Sequence, residues 1–512
     1  MRQTVLFFLF FVSFWAFSQE EIRCNHGGAV LTKEQQAEIL KVEANLKNFR
    51  KANRRVEGQQ IYTIPVVVHI VYKDETQNFT YDQVLKQIEV LNKDYRKLNS
   101  DTTLTPPAFK PFAADAGFEF KLAKRDPNGN PTTGVTYTKT TKSPFSSDTE
   151  EVKFTSSGGI DAWDPNSYLN IWVCDLTSGV LGYVPYPLVA GSSSDGVTIA
   201  YKAFSTYGGS LSSTYNLGRT ATHEIGHWVN LLHPWGSPDQ NGCTTDFVDD
   251  TPPQADYTKS SLNCPPNFYK PTQDTCNKTV FGRMWCDFLD YTRDRCMNMF
   301  SNGQVQRMTD YLVLYRPGIL TSNALVPLYK NDLAAIEIHF DTSLGCSKSM
   351  VPPTVRISNE GSDTIKTFTV EFTINGRSQI ETWYGVLAPA QDTLLGFPNY
   401  QPASNGDDPI EILAKVTLPA SSADQNTQND MCSFSCGQSS LGLYPNPADD
   451  YLYVKGSTER VRSTKVYDLS GKEVLSYANT QSMDVSTLVG GFYLVVFVTD
   501  QNKVRHQLIV VH

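Results

Sequence analysis

The sequence predicts a multidomain protein in which an α+β unit at residues 59–325 precedes two all-β units, a sandwich at 326–436 and a small domain at 437–512. Three observations carry this prediction. The chain has 512 residues, more than a single hydrophobic core organises. Before about residue 325, strand-like runs mix with two helical patterns, the texture of an α+β domain. Beyond it, short β-branched runs separated by turn residues follow one another, the pattern of a sandwich and then of a smaller all-β module.

Each element has its own reason. MRQTVLFFLFFVSFWAFSQE opens with Arg2, continues as an apolar run over 5–17 and places Ala16 and Ser18 before Gln19. This is a signal peptide, residues 1–18, too short for a membrane span. No later segment is apolar enough to cross a bilayer, so the mature chain is expected outside the cytoplasm, secreted or held at the cell surface. LTKEQQAEILKVEANLKNFRKANRRV, at 31–56, is charged and helix-favouring and ends in Arg54 and Arg55. It reads as a pro-segment, residues 19–58, and equally as a solvated surface helix. IPVVVHIVY at 64–72 is a buried strand. Val84, Ile88, Leu91 and Tyr95 recur at helical spacing and predict a helix over 81–98. Further strands are expected at 117–123, 168–174 and 196–201. From 333 to 419, AAIEIHF, PTVRISN, TFTVEFTING and EILAKVTL alternate with turns. YLYVKG, TKVYDLSGKEVLSY and FYLVVFVTDQNKVRHQLIVV do the same in the last segment.

A net charge of −9 without a basic stripe argues against a nucleic-acid partner. Ten cysteines in an exported chain point to disulfides. Five of them, Cys243, Cys264, Cys276, Cys286 and Cys296, crowd a segment with little core of its own, where cross-links substitute for packing; spacing alone leaves their connectivity open.

The chemistry concentrates in ATHEIGHWVNLLHPWG, 221–236. His223 and His227 are four apart and stack on one face of a helix, with Glu224 beside them; this H-E-x-x-H pattern holds a metal between two imidazoles and keeps the glutamate close without ligating it. His233 does not fit the same helix: continued regularly, it would lie roughly 9 Å further along the axis. Asn230, midway, readily takes the left-handed conformation that ends helices. The helix is therefore expected to stop at Asn230 and the chain to turn back, bringing His233 to the other two.

With the third histidine and the cysteine-rich loop behind it, the segment resembles the metzincin zinc endopeptidases, and within them the pappalysin family with its cytophagalysin-like bacterial branch. IPVVVHIVY, YLNIWVCDL at 168–176, DFVDDTPPQ at 246–254 and DFLDYTRDRCMNMF at 287–300 are similar to that family too. The resemblance covers roughly 60–320 and implies a metzincin-like catalytic domain. It implies that His223, His227 and His233 ligate zinc and that Glu224 is the general base for a zinc-held water attacking a peptide bond. It puts Leu289 where the family's tight turn carries a methionine, with Met297 and Met299 as rivals, and Tyr291 where a tyrosine hydrogen-bonds the oxyanion. It puts Arg295 at the floor of the primed-side pocket, where some relatives are acidic, so that basic residues are not expected after the scissile bond. It implies calcium held by Asp246, Asp249, Asp250 and Thr251, an acidic turn being the plain alternative. It implies the disulfides Cys243–Cys276 and Cys264–Cys296, leaves Cys174 and Cys286 unassigned, and makes Cys24, in IRCNHGG, a zymogen switch whose thiolate sits on the zinc, a disulfide or an idle thiol being the plain alternatives. LYPNPADDYLYV, KVYDLSGKEV and VSTLVGGFYLVVFV resemble the C-terminal sorting domain of type IX secretion, implying that machinery as a partner.

The expected protein is thus a secreted zinc endopeptidase acting as a monomer on protein or peptide substrates. Two other readings stand beside it: an adhesin built on an inactive protease scaffold, and a zinc amidase acting on cell-wall peptides.

Overall fold

A computed structural model describes residues 21–24 and 32–52 and then, with short interruptions and a longer one within 259–281, residues 60–340 and 351–511. The signal peptide and the Arg54–Arg55 pair lie outside the described residues. The chain divides into two compact units, 1–325 and 326–512.

The first unit is organised by a six-stranded sheet. Its long central strand, Tyr62–Tyr72, is almost wholly buried, as its β-branched composition requires. It pairs in parallel with Phe118–Leu122 and Val135–Lys139 on one side and with Leu169–Cys174 on the other. Val197–Ala200 continues the sheet in parallel, and the short Gly182–Tyr183 closes it as an antiparallel edge. Helix α1 spans Lys33–Ala52. Helix α2, Tyr81–Tyr95, starts at a reciprocal capping box between Thr80 and Gln83 and ends three residues before the expected boundary. Val84, Ile88, Leu91 and Tyr95 are its buried face. Helix α3 is Arg219–Trp228, and α4 is Asn302–Tyr315, capped by Ser301 and Gln304.

The strand Val135–Lys139, the edge strand and α4 were not legible in the sequence, the two strands because they are short and mixed in polarity. α4 buries Val305, Met308, Tyr311 and Leu312 but also Gln304, Arg307 and Asp310, so polar residues blur its apolar stripe.

The second unit holds two separate apolar clusters. In one, a three-stranded sheet (Leu333–His339, Thr354–Asn359, Asp392–Gly396) and a four-stranded sheet (Ile365–Ile374, Arg377–Leu387, Ile410–Thr417, Met431–Cys436) contribute side chains to a common core including Ile357, Phe368, Phe372 and Ala414. In the other, strands between Gly442 and Val511 form sheets of three and four strands around Leu452, Val466, Val495 and Ile509.

Candidate metal centre

Every side chain of α3 is buried, and both of its ends are fixed by arginines. At the N-terminal end, Arg219 pairs with Asp101 through contacts of 2.6 and 2.8 Å and donates to the carbonyls of Asp294 and Met297 at 2.7 and 2.5 Å. At the C-terminal end, Arg316 donates to the Trp228 carbonyl at 3.3 Å while gripping Asp195 bidentately at 2.6 and 2.9 Å.

The helix stops at Trp228, two residues before the expected end, but the turn itself is where the sequence put it. Asn230 has φ 70°. Its N–H bonds the His227 carbonyl at 2.8 Å and the Leu231 N–H bonds the Gly226 carbonyl at 2.9 Å. These two bonds make a Schellman stop with asparagine in the left-handed position. Arg307 of α4 then donates to the Asn230 carbonyl at 2.6 Å.

The reversal brings the third imidazole home. The Nε2 atoms of His223, His227 and His233 are 3.1, 3.1 and 3.3 Å apart. Nitrogens on a tetrahedral zinc at about 2.0–2.1 Å stand about 3.3–3.4 Å from one another. The outer nitrogens fix the rings: His223 Nδ1 donates to the Phe288 carbonyl at 2.7 Å and His227 Nδ1 to the Leu231 carbonyl at 2.8 Å, which turns each Nε2 lone pair inward. Burial holds His227 well down, at about 4, so the ring is neutral at pH 7. Trp235 stacks on His233 at 4.4 Å. Three imidazole Nε2 atoms converging on one buried point suit a cation, and the donor set fits zinc.

Glu224 is fully buried, and burial, partly offset by its contact with Cys24, pushes its carboxyl up to about 8. The Cys24 thiol lies 3.4 Å from Glu224 Oε2 and, with the three imidazoles, forms one buried group of potential ligands. Cys24 is in no disulfide. Tyr291 donates to the Cys24 carbonyl at 3.0 Å and its ring is 5.0 Å from that of His233. Leu289 is buried directly against Gly226, between the two helical histidines. Met299 packs elsewhere, with Phe109, Met284 and Cys286. The disulfides Cys243–Cys276 and Cys264–Cys296 are present, and Cys174 and Cys286 are buried thiols.

Two expectations need correction. Arg295 is exposed; the buried side chain is its neighbour Asp294. A 3-10 turn, Asp294–Cys296, rotates successive residues by about 120°, so one faces in and the next faces out. Asp294 Oδ2 accepts from the Leu217 and Arg219 amides at 2.8 and 3.3 Å, and Oδ1 takes the guanidinium of Arg23 at 2.8 Å. Arg23 also reaches the Thr292 carbonyl at 3.3 Å and lies 4.8 Å over the Tyr215 ring. The residue before it, Ile22, makes a parallel bridge to Val180 beside the edge strand.

The second correction concerns calcium. The carboxylates of the 246–251 loop diverge. Asp246 accepts from Thr251 Oγ1 and the Val248 amide at 2.7 and 3.1 Å. Asp250 accepts from Ser301 Oγ and the Gly303 amide at 2.6 and 2.9 Å, at the start of α4. Asp249 is exposed. Their oxygens serve loop and helix, and the four residues do not surround a common point.

Asp294, Arg23, Arg219 and Arg307 were missed by sequence reasoning. Only Asp294 left a trace there, one position from Arg295, where the resemblance leads one to expect an acid.

The chain is similar to several known proteins. Residues 156–313 match the family described as Peptidase_M43, pregnancy-associated plasma protein-A. Residues 442–511 match the secretion system C-terminal sorting domain. An extracellular metalloprotease of Coccidioides posadasii is 31% identical over 257 residues, 48% of this chain and 74% of that protein. One from Podospora anserina is 29% identical over 297 residues, 56% of this chain and 86% of that protein. A structure of a Tannerella forsythia promirolysin mutant aligns with 42% identity and a TM-score of 0.51, covering 58% of this chain and 97% of the other.

Proposed function

Since the chain belongs to the pappalysin family of zinc metalloproteases, we propose that His223, His227 and His233 hold its zinc, that Glu224 moves the proton, and that residues 21–24 keep the site latent. The protein is a secreted zinc endopeptidase carrying a type IX sorting tail, exported or attached at the cell surface. The observation that carries the residue assignment is the convergence of three Nε2 atoms beside one buried glutamate.

A zinc ion held there supplies a Lewis acid and lowers the pKa of water at its open position. Glu224, buried on the helix that carries two of the imidazoles, takes a proton from the attacking water and returns it to the departing amine. Tyr291, whose hydroxyl reaches the Cys24 carbonyl, is in reach of a substrate carbonyl at the same place and stabilises its developing charge. Leu289 serves as the apolar floor in place of methionine.

Cys24 is the zymogen switch in this reading: grouped with the three imidazoles, its thiolate would hold the zinc with them and keep water away. Arg23 against Asp294 is a model of recognition. A buried carboxylate aimed at a guanidinium favours a basic residue after the scissile bond, the reverse of what Arg295 had implied. A calcium ion is kept as a proposal without an assigned ligand set; a rise in melting temperature on adding calcium, reversed by a selective chelator, supports it. We read 326–436 as a β-sandwich domain and 437–512 as the sorting domain, with 19–58 as the pro-segment.

The test is to incubate the processed protein with denatured protein, with and without a zinc chelator, beside Glu224→Ala. New peptide termini are expected in the first case alone. Termini produced by Glu224→Ala would remove the assigned base. Sequencing those termini reads the second claim: arginine and lysine dominate the position after the cut and lose that dominance in Asp294→Asn.

A further inference from the structure

Gly182 opens the edge strand of the catalytic sheet. Its φ is not in the left-handed region, so the backbone there accepts alanine. The space does not. A Cβ built on Gly182 would stand 2.7 Å from both Cγ and Oε1 of Glu224 and 3.0 Å from Cδ, well inside the optimum carbon contact of about 3.5–4.0 Å.

Neither side has room to retreat. The strand is pinned by the pairing of Gly182 with Ile199 and Tyr183 with Thr198, and the Ala200 N–H bonds the Leu181 carbonyl at 2.8 Å. Glu224 is fully buried on a helix held at both ends; in the unprocessed chain the Cys24 thiol also faces its other oxygen. Oε1, the oxygen nearest Gly182, has no hydrogen-bond partner among the described residues; what sets its location is shape.

We infer that Gly182 is a positioning residue for the reaction: the side chain it lacks is the recess in which the Glu224 carboxylate stands. This rests on Glu224 being the general base. Any side chain at 182 drives the carboxylate out of the recess, and a displacement of about 1 Å at a reacting group costs on the order of 10²-fold in rate.

The experiment is Gly182→Ala in the processed enzyme, alone and combined with Glu224→Ala. The single variant is expected to lose roughly 10- to 100-fold in kcat while KM for a short peptide and zinc content stay at their starting values. A second readout needs neither metal nor turnover. In the metal-free chain, Gly182→Ala is expected to lower the melting temperature when Glu224 is present and to leave it unchanged in the Glu224→Ala background, where Cγ, Cδ and the oxygens are gone.

Unaltered kcat in the single variant overturns the inference. So does an equal loss of stability, or failure to fold, in both backgrounds, which assigns the glycine to the strand. If Glu224→Ala itself kept proteolytic activity, the general-base reading would fall, while the thermal comparison would still report whether Gly182 makes room for that side chain.

Discussion

Asn230 is a single residue on which the third ligand depends. Holding φ at 70° costs an ordinary L-residue roughly 1–2 kcal/mol, and more when the side chain is β-branched. Asn230→Val is therefore expected to weaken zinc retention in a chelator competition, and Asn230→Gly to preserve it; equal retention by both would remove the turn's role. Asp246 gives a pH prediction. Burial raises its carboxyl to about 7 in the folded chain, against about 3.9 unfolded. The folded state then holds the extra proton between those values, so this residue's contribution to stability declines as pH rises from about 4 to 7. Asp246→Asn should flatten that part of the stability profile relative to the parent, and a profile parallel to the parent's would contradict it. At this scale the sequence was most legible where covalent spacing alone sets geometry, as for His223 and His227 on one helical face. It was least legible for Asp294, because which of two neighbours points inward is decided by the phase of a 3-10 turn.

Between elements, α1 lies on α4 through charge more than through apolar area. Leu46 is its one buried residue. Glu43 pairs with Arg307, with one contact at 2.7 Å; Arg50 pairs with Asp310; and Asn45 donates to the Tyr315 hydroxyl at 3.0 Å. An exposed helix and a docked one of this kind have nearly the same composition, which is why the sequence left both readings open. Arg307 joins this interface to the metal turn, since the same guanidinium holds the Asn230 carbonyl. Glu43→Gln is expected to speed zinc loss to a chelator in the unprocessed form and to change nothing once 19–58 is removed. A proform that released zinc at the parent's rate would show that the two ends of Arg307 act independently.

Across the whole molecule, every residue assigned to the reaction lies within 1–325, one of the two compact units. A chain ending at residue 325, once processed, is expected to cleave short peptides at the parent's kcat/KM; a large loss would give the second unit a part in catalysis. The all-β character of 326–512 was legible because alternating burial imprints itself on sequence with period two, as in Ile410–Thr417, whose even-numbered residues are buried while its odd-numbered residues are exposed, Leu413 being half-buried. Strands without that alternation escaped notice. Arg377–Leu387 is exposed along most of its length, so no apolar face announces it.

The parallel bridge between Ile22 and Val180 has a directional consequence. Arg23 fills the Asp294 pocket, and the next residue, Cys24, faces the three imidazoles. In a chain being cut, the carbonyl at the metal belongs to the residue preceding the one in that pocket. On the proposed reading of that pocket, residues 22–24 run opposite to a chain being cut, giving the enzyme a substrate's grip with no bond in register for scission. If residues 21–24 keep the site latent as proposed, latency is a matter of orientation, and maturation is expected to begin with a cut outside that segment.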